Sequence, residues 1–560
     1  MPSVHWDERT VALEPDVLAQ ALAAFARVVG DAHVVTDPAR VAALGRATVP
    51  GARAPAAAVY PASTAEVAEV VRLAADLRVP LWPCSRGRNW GYGSATPFLA
   101  GTVLLHLERL DRIIEVNREL AYAVIEPGVT YRQLRAHLER EHPDLWCDCS
   151  DGPPDGSVVG NALERGLGVT AYCDHFATLC GLEVVLADGS VVRTGGGEPG
   201  HCATWNTHKW GLGPYVEGLF SQSNFGVVTA AGVWLLRRPQ AFVSFTFDLA
   251  RDADLPRLVD VVREMLLEGV LAPGIHLVND IVALAVVAQY PPELVATHTR
   301  LPDAVLAELR ARYTIPGWGF GGGIMGTRGH VRAATRELRR RLRGLGRLTV
   351  LTEPRVRMLT AFGRWYAGLE RAPWLHRAVR RAFRAVSGKS PELLPLLPHV
   401  HSVMQGRPSD YFVRHAYFRS ALPKPERADP DRDDVGIIWL APLAPCTGVA
   451  TNAVVELCRA AFERAGFDFY AALLHENSRS IIVLLAIFYQ KADAAETQRA
   501  EALYRELSAS LAQHGYQQYR TGTLGMEGLF RSAPAYAAMI RRVKHALDPH
   551  GILAPGKTPP

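Results

Sequence analysis

Ser85-Arg86-Gly87-Arg88-Asn89-Trp90-Gly91-Tyr92-Gly93-Ser94 sets three glycines and two arginines between apolar segments. Glycines let backbone N–H groups approach a phosphate closely and arginines supply charge, so the loop is a candidate diphosphate cradle; taken alone it is equally a tight surface turn. Upstream, Ser63-x-x-Glu66 is a capping-box pattern, and Val67, Val70, Val71 and Ala74 follow at the spacing of one helix face. Downstream lie two further small-residue loops, Gly156-Ser157-Val158-Val159-Gly160-Asn161 and Phe220 to Val228. Leu182–Ala187 and Ser190–Arg193 flank Asp188-Gly189, a hairpin signal because both turn residues tolerate positive φ. From Pro55 to about Leu236 this alternation predicts a mixed α and β domain, and three such loops in one domain favour a long cofactor.

Beyond residue 240 longer helical stretches rich in Arg and Leu appear, with strands such as Ser480–Tyr489 between them. A second domain is expected there, and Asp548 to Lys557 reads as a tail packed on the body. The 560 residues, 48% hydrophobic and 21% charged, suit a multidomain globular protein and exclude a disordered chain. The longest apolar run, Ile481–Tyr489, is nine residues, about half of the roughly 18 that span a bilayer, so no stable membrane insertion is expected. The first residues show neither a basic nor an apolar leader pattern, which makes the cytoplasm the expected compartment. Eight cysteines without CxxC or Cys/His metal spacing read as reduced and mostly buried, with no metal site. A net charge of +5 does not argue for nucleic acid, and no aromatic platform or motif supports that partner. Arg332 to Arg347 holds seven arginines and Arg371 to Arg384 is similar. Their interleaved apolar residues read as solvated faces of helices, with a docking surface for an electron acceptor or a weak membrane-surface contact as the alternatives.

The loops occur in a fixed order with further motifs. Pro80 to Pro97 is followed by Glu126-Pro127-Gly128-Val129-Thr130-Tyr131, Gly156 to Asn161, Glu164-Arg165-Gly166-Leu167-Gly168, Asp174-His175, Gly213-Pro214-Tyr215 and Leu219 to Thr229. Met404-Gln405-Gly406, Tyr519-Arg520-Thr521 and Asp548 to Lys557 complete the set. This arrangement strongly resembles the vanillyl-alcohol oxidase / 4-cresol dehydrogenase family over nearly the whole chain, and is weakest from about 246 to 400. The resemblance implies an α+β, two-domain flavoprotein of the PCMH type. Residues 1–245, completed by the tail 516–560, would bind FAD, and 246–515 would form a substrate-binding cap with a large antiparallel sheet flanked by helices. It implies a cofactor site of Ser85, Arg86, Gly87, Arg88, Asn89, Gly91, Gly156, Ser157, Gly160, Asn161, Asp174, Val228, Arg520 and Lys557. It places a phenol-binding trio at Tyr92, Tyr519 and Arg520, and an acid beside the reacting flavin atom at Asp174.

Two phenolic hydroxyls and a guanidinium converging on one oxygen would stabilise a bound phenolate. Such a phenolate can expel a hydride from its para benzylic carbon, leaving a p-quinone methide. The expected substrate is therefore a 4-alkylphenol or 4-hydroxybenzylic alcohol, and the expected acceptor of the electrons O2 or a protein, in a homodimer. An elaborate biosynthetic intermediate on the same scaffold, or an inactive flavin-binding scaffold, are the alternatives. One departure stands out: where histidyl-flavin relatives carry a His-His pair this chain reads Asn477-Ser478-Arg479-Ser480, and the helper site reads Asp37-Pro38-Ala39-Arg40. FAD is therefore expected to be held non-covalently, with Tyr470 and His475 as the two side chains that could make it otherwise.

Overall fold

The computed structural model describes residues 3–5, 9–198 and 200–557. The helix Thr64–Leu77 shows how the local pattern becomes structure. Ser63 Oγ accepts from Glu66 N at 3.2 Å, and Glu66 reaches back to Ala62 N at 2.8 Å, one residue beyond the reciprocal partner of a capping box. Val67, Val70, Val71 and Ala74 are all buried, and each valine contributes about 1.5–3 kcal/mol of transfer free energy. They cover a four-stranded sheet in the order Val34–Val35, Ala57–Val59, Val103–His106, Leu81–Cys84, whose last strand runs directly into the glycine-rich loop. Beside it lies a five-stranded antiparallel sheet in the order Val191–Arg193, Leu179–Val185, Val227–Trp234, Tyr122–Ile125, Ile113–Asn117. The Asp188-Gly189 hairpin joins its first two strands, with Gly189 at φ +84°.

The C-terminal tail returns to this half. Leu81 N donates to Ile552 O at 2.8 Å and Ala554 N to Leu81 O at 2.7 Å, so the tail runs beside the strand that feeds the glycine-rich loop. Asp548 fixes the turn before it, accepting from Ile552 N at 3.0 Å and Leu553 N at 2.9 Å and pairing with Lys544 at 2.6 Å.

Residues 241–489 supply an antiparallel sheet of eight strands: β1 Ala241–Leu249, β2 Ile275–Asn279, β3 Trp318–Gly326, β4 Gly346–Leu351, β5 Gly436–Leu440, β6 Leu443–Pro445, β7 Tyr470–His475 and β8 Ser480–Tyr489. The order is β4-β1-β3-β2-β7-β8-β5, with β6 also paired to β8. Period-two alternation divides its residues. Leu277, Ala471, Leu473, Ile481, Val483 and Leu485 enter one core with the helices Leu255–Leu267, Gly448–Ala465 and Ala494–Gln513. The alternate residues of β2, β5, β7 and β8 face the first half of the chain. Outside the sheet, α1 Glu353–Ala367 and α2 Pro373–Ser387 form a helical hairpin.

Candidate active site

Between the sheet and the first half lies a cavity of about 350 Å³. Its floor is the glycine-rich loop, the Gly156–Asn161 loop and residues 222–228. Its ceiling is the alternate face of the sheet: His276 and Val278 on β2, Ile437 and Trp439 on β5, Tyr470, Ala472 and Leu474 on β7, Ile482 and Leu484 on β8. The register puts them side by side, His276 opposite Leu474, Ala472 opposite Leu484 and Trp439 opposite Ala486. All are apolar or aromatic except His276.

The structure brings Tyr92, Tyr519 and Arg520 together at this cavity. Arg520 Cζ lies 4.0 Å from the Tyr92 ring centroid and 5.5 Å from that of Tyr519. Backbone bonds hold the three segments: Thr523 N donates to Tyr92 O at 2.9 Å, Tyr519 N to Ala441 O at 3.1 Å, and Gln222 Nε2 to Tyr519 O at 3.1 Å. Gly522 packs so closely that a Cβ there would lie 2.1 Å from Tyr92 O. The Tyr92 hydroxyl and Arg520 Nε are buried without a protein partner, which leaves donors for an acceptor that enters the cavity. Burial holds the Tyr519 phenol well above its ordinary pKa, so it stays a proton donor. Burial works against the Arg520 charge, but the Tyr519 and Tyr92 phenols and Glu164 outweigh it.

Other expected residues take more varied positions. Ser85, Arg86, Gly87, Arg88 and Asn89 line the cavity, and the backbone N–H groups of Arg86, Arg88 and Asn89 donate to no protein acceptor among the described residues. Those N–H groups form a cradle for an anion. The Arg88 side chain is engaged elsewhere, paired with Asp429 at 2.6 Å. Gly91 departs from the expectation of a phosphate-binding N–H: it donates to Thr48 Oγ1 at 2.7 Å, and its carbonyl accepts from Trp439 N at 3.1 Å. Its φ of +77° and the 2.0 Å between a built Cβ and Trp439 Cδ1 show why glycine stands there: the sheet seats on it. Ser157 is likewise occupied, capping the short helix Val158–Leu163 through Gly160 N at 2.8 Å and donating to Pro127 O at 2.5 Å. Gly160 lets the loop at Ser85 approach, and Gly156, Asn161 and Val228 line the cavity. Lys557 also lines it, paired with Glu164, whose carbonyl accepts from Arg520 at 3.4 Å. Burial raises the Glu164 pKa, and Lys557, Arg520 and Arg165 more than reverse this.

Asp174 stands apart from the other expected residues. It does not line the cavity; its carboxylate accepts from Ala177 N at 3.0 Å and closes a turn. His475 does not line it either, being buried on the other side of β7 from Tyr470, Ala472 and Leu474, whereas Tyr470 does. Sequence reasoning missed His276, His415 and Trp439. His276 could have been found as the one polar residue in the run Ile275–Val278, before Asn279 ends the strand. His415 and Trp439, with ring centroids 5.5 Å apart, have no local signal. Burial pulls the His415 imidazole down to about 4 and also lowers His276, so both are neutral near pH 7.

One cavity that holds both an anion cradle and a cationic, hydroxyl-lined corner suits a flavin-dependent oxidoreductase. Residues 55–195 match the model of an FAD binding domain and 482–558 that of the C-terminal domain of FAD linked oxidases. The chain is 36% identical to the 1'-carboxy-chondrochloren decarboxylase of Chondromyces crocatus, over 96% of this chain and 97% of that one. It is 28% identical to the 4-cresol dehydrogenase [hydroxylating] flavoprotein subunit of Pseudomonas putida, over 96% and 95%. The 4-ethylphenol oxidase of Gulosibacter chungangensis, solved as an isoeugenol complex, superposes with a TM-score of 0.84 at 28% identity, covering 98% of each chain. The chain therefore belongs to the FAD-linked oxidoreductases of the 4-cresol dehydrogenase family and has its α+β, PCMH-type fold. FAD is its cofactor, and the unpartnered N–H groups of Arg86, Arg88 and Asn89 fit a diphosphate.

Proposed function

We propose that this enzyme oxidises a para-substituted phenol, a 4-alkylphenol or a 4-hydroxybenzylic alcohol, with Tyr92, Tyr519 and Arg520 binding the phenolic oxygen. Residues 1–245 with 516–560 hold the cofactor in this reading, and 246–515 cap the substrate. The observation that carries it is the convergence of the three side chains, with the Tyr92 hydroxyl and Arg520 Nε buried and unpartnered. FAD, when bound, supplies the acceptor for a hydride. The protein's part is to make the substrate give one up. Tyr92 and Tyr519 donate hydrogen bonds, Arg520 supplies full charge, and the phenol ionises because negative charge on its oxygen is stabilised there. The apolar ceiling excludes water from the ring, which strengthens that field. Loss of hydride from the para benzylic carbon leaves a p-quinone methide, to which water can add.

A second reading concerns the fate of the quinone methide. The relative at 36% identity is a decarboxylase. A carboxylate on the carbon next to the benzylic position could leave as CO2 from the quinone methide, the electron pair of the breaking bond becoming a new double bond as the aromatic phenolate returns. Both readings share the first step and the same test. Anaerobic mixing with 4-alkylphenols should bleach the flavin, and the O-methyl analogues should fail by on the order of 10⁴, because a site built for a hydroxyl leaves buried polar groups unpaired without it. Equal bleaching by the methoxy compounds would remove phenolate chemistry from this enzyme. Captured CO2 from a substrate bearing the adjacent carboxylate separates the second reading from the first.

A further inference from the structure

Residues 353–388 hold eight arginines, two glutamates and no lysine, so the α1–α2 hairpin alone carries more positive charge than the +5 of the whole chain. The two helices pack through Phe362 stacked on Phe383 at 5.2 Å and Tyr366 on His376 at 4.3 Å. The inner flank of α2 is tied to the body: Arg384 donates to Thr314 Oγ1 at 2.9 Å and Arg380 pairs with Glu392 at 3.6 Å. With the seam and inner flank fixed, helical spacing assigns the outer face. On α1, Met358 and Trp365 lie seven residues apart beside the seam, 62% and 52% exposed. On α2, Ala382 and Val386 lie beside the same seam, Val386 88% exposed, and Trp374 at the helix start is 69% exposed. Arg364 on α1 and Arg381 on α2 stand outside this apolar strip without a polar partner among the described residues.

We propose that the outer face of this hairpin docks on an anionic lipid bilayer. A continuous apolar strip with exposed tryptophans marks an interaction surface. A second copy of the chain is a poor occupant, because a twofold contact would set the unpaired arginines of one outer face against those of the other, with no unpaired carboxylate on either helix to offset them. A bilayer satisfies both features: the strip enters the headgroup region, and the flanking guanidinium groups reach lipid phosphates. No helix among the described residues is long and apolar enough to cross a membrane, so the contact lies in the membrane plane.

The test is flotation of the full-length, FAD-loaded protein with vesicles of phosphatidylcholine alone or mixed equally with phosphatidylglycerol. The anionic vesicles should capture the protein at low salt and release it at high salt, with tryptophan emission shifting to the blue. Arg364→Glu/Arg381→Glu should weaken capture on the order of 100-fold. Trp365→Ala/Trp374→Ala should abolish the emission shift, with flavin absorbance and melting temperature unchanged. No capture by anionic vesicles, or capture undiminished in both variants, overturns the proposal. So does a native dimer that the tryptophan variant splits into monomers, since the face would then be covered by a second copy. Should either variant fail to fold, quenching of the native protein's tryptophans by brominated phosphatidylglycerol decides the same point, its absence counting against the proposal.

Discussion

Arg520 is the residue whose chemistry is least replaceable. Its guanidinium lies against two tyrosine rings, 4.0 Å and 5.5 Å from their centroids, and one of its nitrogens also reaches the Glu164 carbonyl. A lysine keeps the charge but loses the planar fork and the flat face that rests on Tyr92. Arg520→Lys should therefore slow flavin reduction by about 10- to 100-fold, the worth of one charge-assisted hydrogen bond. The sign of the pH effect comes from the role of the cation. In the proposed reaction Arg520 favours the phenolate and so lowers the pKa of the bound phenol; a weaker contact lowers it less, and the rate profile should move to higher pH. Stopped-flow reduction across pH measures both, and an unchanged rate and profile would take Arg520 out of the site. The glycine loop was legible in the sequence as a local motif, whereas Tyr519 and Arg520 stood out only through the family resemblance. For Asp174 the motif around it fixes its place in the chain but not the direction of its carboxylate, which accepts from Ala177 N.

At the scale of elements, the glycine-rich loop meets the loop before strand β5. Arg88 pairs with Asp429, Trp90 Nε1 donates to Asp431 at 3.0 Å, and Ser94 Oγ donates to the same carboxyl at 2.9 Å. These partners lie more than 330 residues apart, which is why no reading of the sequence near Ser85 could find them. The same holds for Trp439 seated on Gly91. By contrast the capped helix Thr64–Leu77 and strand β8 were readable, because cap, period and burial all lie within one segment. Burial, helped by neighbouring Asp429 and opposed by the Ser94 hydrogen bond, pushes the Asp431 carboxyl up to about 7. The folded protein then binds a proton that the unfolded chain has released, so from about pH 4 to 7 stability falls as pH rises, and it stays at the lower level above 7. Asp431→Asn can turn its oxygen to Trp90 and its amide to Ser94 while carrying no charge. Thermal unfolding of this variant should show less loss between pH 5 and 8 than the native chain, and a higher melting temperature at pH 8. Parallel curves for the two proteins would mean that Asp431 does not titrate in this window.

For the whole molecule, the architecture decides how the flavin is held, because attachment requires a nucleophile that two separately built halves aim into one cavity. The sheet offers that cavity the alternate residues of four strands, and among them only Tyr470 and His276 carry a group able to attack a flavin carbon. His475, buried with both ring nitrogens unpartnered, lies off the cavity. Burial raises the Tyr470 phenol above its ordinary value, and a protonated phenol is a poor nucleophile. It also packs edge-to-face with Trp439 at 5.7 Å and Phe488 at 5.3 Å, which fixes the ring within the apolar ceiling. FAD should therefore be bound by the Arg86–Asn89 backbone, by Lys557 through its pair with Glu164, and by packing, without a covalent bond. Acid precipitation of the holoenzyme should leave yellow colour in the supernatant and a colourless pellet. A washed pellet that keeps its flavin fluorescence would reverse this, and comparison of Tyr470→Phe, His276→Ala and His415→Ala would then identify the attachment site, since only one of them should release the colour.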